Sequence, residues 1–186
     1  MLAHGHTNQH VFLLLGDSRS TAMTAAGGKM RQVAIQGREI GPGHPTYLIA
    51  EIGSNHNGRI EQAFELIKEA ANAGVDAVKF QTFRACDHYS RHAPGFGYLE
   101  AQGVSTYDLI RSLEIDRTWH SALQKCAAEH HVTFLSSPCD ADAIDELAAL
   151  GMPAFKLASF DLPDVKIIQH MSTKGLPLLL STGMAI

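Results

Sequence analysis

The sequence has 186 residues, of which 45% are hydrophobic and 18% charged, with a formal net charge of -4 and a pI near 6.2. This composition favours one substantial hydrophobic core, and it excludes a general nucleic-acid binder, which needs a basic face. Cys86, Cys126 and Cys139 are odd in number and contain no C-x-x-C pair, so they predict neither a disulfide framework nor a zinc site. A reducing cytoplasmic environment fits this cysteine usage.

The first 29 residues lack a sustained hydrophobic period, which predicts a loosely structured extension. Their longest apolar run, Val11 to Leu15, is too short to span a bilayer and lacks the flanks of a secretory signal. We therefore expect no membrane anchor. The organised domain, residues 30–186, is expected to begin near Met30 with a short hairpin over Val33 to Ile40.

Five short apolar segments then alternate with helical patterns. The expected strands are Tyr47 to Ile52, Asp76 to Thr82, Thr133 to Ser137, Ala154 to Ser159 and Leu178 to Thr182. The clearest helices between them are Asp116 to His130, Asp140 to Leu150 and Pro163 to Thr173. Because parallel neighbouring strands need helical crossovers, this order predicts an α/β fold with a parallel sheet and excludes an antiparallel sandwich.

Polar side chains follow at the carboxyl end of each expected strand. They are Glu51 on the first; Lys79 and Gln81 on the second; Ser136 and Ser137 on the third; Lys156, Ser159 and Asp161 on the fourth; and Ser181 and Thr182 on the fifth. Ligands of α/β proteins bind at this edge of the sheet, so Asn55 and His56 in the first loop are candidates too.

A lysine inside a strand requires an anionic partner, because burying an unpaired charge is costly. For Lys79 and Lys156, that partner is either an internal carboxylate, Glu51 or Asp161, or a bound carboxylate or phosphate. The repetition of polar groups over five strands favours the bound anion.

The segment from Arg84 to Glu114 is longer than a simple connection, which is typical of functional loops. His88 and His92 have the spacing of a helical metal pair, but Pro94-Gly95 and the polar residues around them indicate a surface lid instead.

Five motifs occur at the strand ends in a fixed order. They are AEIGSNHNG (Ala50 to Gly58), VKFQTF (Val78 to Phe83), LSSP (Leu135 to Pro138), FKLASFD (Phe155 to Asp161) and LSTGM (Leu180 to Met184). Together they resemble the N-acetylneuraminate (sialic acid) synthase family over about Met30 to Ile186. Phe160-Asp161 replaces the Gly-Glu usual in sialic acid synthases proper and is more similar to the pseudaminic acid synthase and spore-coat polysaccharide branch.

This resemblance implies a TIM (β/α)8 barrel, of which about the first five β/α units are present. It also implies an enzyme of surface carbohydrate biosynthesis that condenses phosphoenolpyruvate with an open-chain N-acylated amino sugar and releases phosphate. The positions that match phosphoenolpyruvate-binding residues are Lys79, Ser137, Lys156, Ser159 and Ser181. Glu51 and Asp161 match catalytic acids, and Gln81, with Asn55 and His56, is assigned to the sugar.

The family further implies a divalent metal, typically manganese, held by histidines on later strands, so no metal ligand is expected in this chain. The later strands and a small carboxyl-terminal antifreeze-like domain are expected to be missing, which predicts a truncated, inactive product of an enzyme that is a homodimer at full length. Two alternatives stay open: another phosphoenolpyruvate–aldose condensing enzyme, and a non-catalytic barrel fragment that binds an anion or a partner chain.

Overall fold

The computed structural model describes residues 33–92 and 105–183, together with the backbone of one strand near the amino terminus. In chain order the strands are β1 (Val11–Leu14), β2 (Val33–Ile35), β3 (Arg38–Ile40), β4 (Ile49–Gly53), β5 (Ala77–Thr82), β6 (Thr133–Pro138), β7 (Phe155–Leu157) and β8 (Leu178–Ser181). Within these ranges, every helix is too short or too polar to cross a bilayer.

Strands β4 to β8 are the five predicted from sequence. β5 pairs in parallel with both β4 and β6, and β7 pairs in parallel with β8. β6 lies against β7, so the two sheets follow each other in chain order. The predicted α/β fold with parallel strands is confirmed.

The helices lie between these strands. They are α1 (Ile60–Asn72), α2 (Ala85–His88), α3 (Thr106–Ser112), α4 (His120–Glu129), α5 (Ala141–Ala149) and α6 (Val165–Ser172), with a 3-10 turn, Arg117–Trp119, leading into α4. Asp140 and Asp164 cap α5 and α6 by accepting backbone N–H groups of the first turn, which satisfies donors that have no partner inside the helix. Both helices lie within the ranges predicted from the sequence, Asp140 to Leu150 and Pro163 to Thr173.

The strand residues alternate between two faces, as the pleat requires. On β5, β7 and β8, one face packs Phe80, Phe155 and Leu178 against the helices, where all three are almost completely buried. Lys79 and Gln81 occupy the alternate positions on β5 and so point to the opposite face of the sheet. This alternation explains why charged residues occur within otherwise apolar strands.

The predicted hairpin forms from β2 and β3 and lies at the amino ends of the parallel strands. Arg38 pairs with Asp76, directly before β5, and the Asp76 carboxylate also accepts the Leu48 N–H, just before β4, at 2.7 Å. Ile35 is fully buried in the same core as the parallel strands. The hairpin therefore packs into the domain at the end opposite the polar strand ends.

The amino-terminal extension differs from its prediction at Val11–Leu14. These residues form β1, which pairs antiparallel with β8 from Val11 opposite Ser181 to Leu14 opposite Leu178. A short apolar segment can satisfy the free N–H and C=O groups along a sheet edge, whatever its distance along the chain. The other residues of the predicted 1–29 extension lie outside the described ranges.

Candidate functional site

Glu51 and Lys79 are direct neighbours across β4 and β5, and their side chains form an ion pair. The Lys79 side chain is only 9% exposed, whereas the Glu51 side chain is 50% exposed. Of the two kinds of partner that the sequence allowed for Lys79, an internal carboxylate or a bound anion, the structure shows the internal carboxylate of Glu51. Because the Glu51 carboxylate is half exposed, an incoming ligand can reach it.

Lys156 has neutral partners. Its ammonium donates to the Leu157 carbonyl oxygen and to Ser181 Oγ, both at 2.6 Å, and does not form the pair with Asp161 considered from the sequence. Burial, with a smaller contribution from the Lys79 charge, lowers the pKa of Lys156 to about 8. The site therefore contains two neighbouring lysines, of which Lys79 pairs directly with a carboxylate and Lys156 does not.

Gly53 brings Glu51 and Gln81 together. The β4–β5 register shifts between Glu51 and Gly53, and Gly53 has φ +55, a left-handed conformation that glycine adopts without strain. A Cβ atom at Gly53 would lie 3.3 Å from Glu51 Oε1 and 3.5 Å from Gln81 Nε2. Gly53 is not among the residues predicted from the sequence, although a glycine at a strand end often marks a bulge or a close approach.

The two serines of the LSSP motif have different surroundings. Ser137 is buried and lies opposite Gln81 in the β5–β6 register, on the face with Lys79. Ser136 Oγ is 2.8 Å from Thr82 Oγ1, which is in turn 3.0 Å from His120 Nε2 in the layer between sheet and helices. Only Ser137 of this pair is therefore on the face of the candidate site.

The loops after β7 and β8 approach each other at Ser159. This residue is half-buried, and a Cβ atom on Gly183 would lie 3.9 Å from its hydroxyl oxygen. Ser181, at the end of β8, accepts from Lys156. Ser159 and Ser181, two of the three hydroxyls predicted to bind phosphoenolpyruvate, thus lie where β7 and β8 end.

The structure places His56, which was assigned to the sugar, away from the face that carries Lys79 and Gln81. Its side chain is completely buried, with Nδ1 accepting the Gly58 N–H at 3.1 Å and the ring centroid 5.9 Å from that of Trp119. Burial lowers the pKa of His56. The turn points this ring into the sheet–helix layer, where it packs with aromatic side chains.

Asn55 stays at the surface. Its side-chain Nδ2 donates to the Ile52 backbone carbonyl oxygen at 2.9 Å. The backbone carbonyl oxygen of Asn55 accepts from Gln62 Nε2 at 2.6 Å. These bonds fix the loop that follows β4. The residue is exposed in the loop that follows the strand of Glu51, and a role in sugar binding stays a prediction.

Asp161 lies with two groups that the sequence did not connect with it. His88 Nε2 is 3.5 Å from Asp161 Oδ1, and ligating atoms of His88, Cys139 and Asp161 all lie within 4.8 Å of one another. Burial raises the pKa of Asp161, with the His88 charge opposing the shift, and burial raises the pKa of Cys139 to about 12. His92 is exposed and lies beyond the end of α2, so it does not share a helix with His88.

Comparison with known proteins identifies relatives of this chain. A profile of the NeuB family matches residues 66–186. The spore coat polysaccharide biosynthesis protein SpsE of Bacillus subtilis is 35% identical over 156 residues, which cover 84% of this chain and 42% of SpsE. N,N'-diacetyllegionaminic acid synthase of Legionella pneumophila is 36% identical over 141 residues, covering 74% of this chain and 40% of that protein.

A solved structure gives the same result. The N-acetylneuraminic acid (sialic acid) synthetase of Leptospira borgpetersenii, crystallised with citrate, superposes with a TM-score of 0.74 at 26% identity. The similarity covers 84% of this chain and 51% of the synthetase. This chain thus spans about two-fifths to one-half of these relatives, from their amino-terminal part. The match of the family profile over most of the chain, with the motifs at the ends of its parallel strands, shows that the protein belongs to the NeuB family.

Proposed function

We propose that this chain is part of a nonulosonic acid synthase. The enzyme would condense phosphoenolpyruvate with an open-chain N-acylated amino sugar and release phosphate. The proposal rests on the two lysines, Lys79 and Lys156, at strand ends on one face of the sheet, with hydroxyl groups beside them. Relatives at about 35% identity are synthases of this class of sugar acid, which supports the same reaction here.

The charges of the site suit an anion. Lys79 has the half-exposed carboxylate of Glu51 as its partner, and Lys156 has neutral acceptors only. The Lys79 charge helps to lower the pKa of Lys156, and an anion placed between the two ammonium groups would oppose that effect. Phosphoenolpyruvate carries the negative charge of both a phosphate and a carboxylate group. The serine hydroxyls of the site would add neutral hydrogen-bond donors to it.

The proposed chemistry places charge near these groups. Carbon 3 of phosphoenolpyruvate attacks the sugar aldehyde, positive charge develops at carbon 2, water adds there, and phosphate leaves as its bond to carbon 2 breaks. We assign Glu51, which pairs with Lys79 and approaches Gln81, to the place where the two substrates would meet. A carboxylate there can stabilise positive charge at carbon 2 and accept a proton from the water.

A divalent metal, typically manganese, remains part of the proposal, with its ligands on histidines beyond Ile186. When bound, such an ion polarises the aldehyde oxygen. Among residues 33–92 and 105–183, the group with metal-ligating atoms close together is His88, Cys139 and Asp161. Because manganese prefers oxygen ligands to a thiolate, this group does not fit it, and we assign no step to manganese here.

The alternative enzyme, another phosphoenolpyruvate–aldose condensing enzyme of the kind that uses a phosphorylated sugar, would require an additional arginine cluster. Arg84 pairs with Asp142, and Arg111 pairs with Asp108 on its own helix. The Arg91 guanidinium lies 4.3 Å from the centre of the Tyr107 ring. Each of these three arginines already has a partner of its own, so we keep the unphosphorylated sugar as the proposed substrate. A cytoplasmic location and a homodimer at full length also remain proposals.

Titration calorimetry with phosphoenolpyruvate tests the anion site without requiring turnover. We expect Lys156→Ala to weaken binding by at least about tenfold, because it removes a charge-assisted contact. Lys125→Ala is the control, since Lys125 is exposed on α4 and pairs with Glu129. Equal affinity in the wild type and Lys156→Ala would contradict the proposed role of Lys156, and no binding to the wild type would contradict the site.

A further inference from the structure

The loops after β5, β6 and β7 bring three chemically different ligating groups together. His88 ends α2, Cys139 directly follows β6, and Asp161 lies beyond β7. Their ligating atoms lie within 4.8 Å of one another, with His88 Nε2 and Asp161 Oδ1 separated by 3.5 Å. This cluster lies at the same end of the sheet as Lys156.

The backbone holds these residues in place. The Cys139 N–H donates to the Thr82 carbonyl oxygen at 3.0 Å, which continues the β5–β6 pairing by one residue. The Asp161 N–H donates to the Ala158 carbonyl oxygen at 3.1 Å. A zinc ion about 2.0–2.3 Å from each of three ligands keeps the ligand atoms roughly 3.5 Å apart. The cluster therefore needs only a small contraction of its side chains to bind such an ion.

The carboxylate of Asp161 lacks a strong cationic partner. Its side chain is 11% exposed, and its ion-pair partner among the described residues is His88, a group charged only when protonated. The nearest lysine in the site, Lys156, donates to Leu157 and Ser181 instead. Because shielded carboxylates are normally paired or bound to a metal, this position can accept a cation.

The mixture of ligands selects the kind of cation. Imidazole, thiolate and carboxylate together suit zinc and similar borderline ions, whereas a thiolate is a poor ligand for magnesium and manganese. We propose that His88, Cys139 and Asp161 form a binding site for a zinc-class divalent cation, separate from the manganese that the family resemblance implies.

Three protein ligands leave a fourth position open in a tetrahedral site, for water or another small ligand. Binding replaces the thiol proton, which passes to solvent, with a metal–sulfur bond. It would also fix α2, and with it the start of the long 84–114 segment, to the loops that follow β6 and β7.

Cobalt(II) is the probe, because it replaces zinc and reports thiolate ligation by a sulfur-to-metal charge-transfer band. Added to the chelator-treated 186-residue protein, it should give this band together with the visible spectrum of a tetrahedral site. Added zinc should remove both. The absence of the band from the folded wild type would overturn the proposal.

Two cysteine variants identify the ligand. Cys139→Ser should lose the charge-transfer band, and Cys86→Ser should keep it, since Cys86 is an exposed thiol on the same short helix as His88. A band that persists in Cys139→Ser, or disappears in Cys86→Ser, would overturn the assignment. Circular dichroism establishes that each variant is folded.

His88→Gln provides a measurement that does not depend on the cysteine variants. It should lower the affinity for cobalt by at least about tenfold, because a ligand is lost. Unchanged affinity would overturn the site. The readout is binding alone, so the result does not depend on the proposed synthase activity.

Discussion

At the residue scale, Gly53 determines how closely Glu51 and Gln81 approach each other. We predict that Gly53→Ala weakens phosphoenolpyruvate binding, because the new methyl group would press on the Glu51 carboxylate that neutralises Lys79. The left-handed backbone should also cost about 1 kcal/mol of stability.

Gly58→Ala is the matched control for this prediction. Gly58 also has a positive φ, +69, but a Cβ atom there would meet nothing within 4 Å. Both variants should lose similar stability in urea denaturation, and only Gly53→Ala should lose affinity in calorimetry. An equal effect of both on affinity would mean that Gly53 does not shape the site.

The sequence predicted the residues inside strands better than those in turns. Alternation along β5 placed Lys79 and Gln81 on one face, and both are there in the structure. No such period applies to a turn, and His56 is fully buried although it stands between two polar residues. The roles assigned to individual residues in binding and catalysis stay predictions.

At the scale of elements, β5, β6 and α4 share a buried polar contact between Thr82, Ser136 and His120. Burial, with a smaller contribution from the Arg117 charge, lowers the pKa of His120 to about 4 from its ordinary value of 6.5. The folded protein therefore resists protonating a group that the unfolded chain protonates readily.

This shift predicts how stability depends on pH. As the pH falls from 6.5 towards about 4, the unfolded chain binds a proton that the folded protein does not, so the free energy of unfolding should decrease, by at most about 3 kcal/mol. Above 6.5 the contribution of His120 should be constant. Asp116 and Asp145, whose pKa values are lowered, would lose their contributions only at still lower pH.

Urea denaturation at a series of pH values measures this effect. His120→Gln should flatten the dependence between pH 6.5 and 4, while retaining an amide near Thr82. The burial of His56, whose pKa is also lowered, should leave part of the slope in the variant. A slope identical to that of the wild type would show that His120 is not responsible.

At the scale of the whole molecule, β1 covers the outer edge of β8. Removing residues 1–14 should expose unpaired N–H and C=O groups along β8, and exposed edges of this kind pair with other chains. We predict greater self-association of the shortened protein in sedimentation velocity. Removing residues 1–10 alone is the control, because it leaves β1 in place, and equal association of the two would contradict the role of β1.

The order of strands and helices followed from local patterns, but contacts between distant parts of the chain did not. The pairing of Val11–Leu14 with Leu178–Ser181 joins residues near opposite ends of the sequence, and nothing in either segment specifies the other. In the same way, His88, Cys139 and Asp161 come from the connections after three different strands, so no spacing motif could reveal them. Such features depend on the folded arrangement of the strands.

The hairpin of β2 and β3, tied to Asp76 at the amino ends of β4 and β5, affects how ligands would reach the proposed site. With that end packed, two substrates would have to use the same entrance at the opposite end. Lys79 is nearly buried while Glu51 is half exposed, so the anion site lies deeper than the position proposed for the sugar. In the proposed reaction, a sugar that arrived first would obstruct the way in, which favours an ordered sequence with phosphoenolpyruvate entering before its partner.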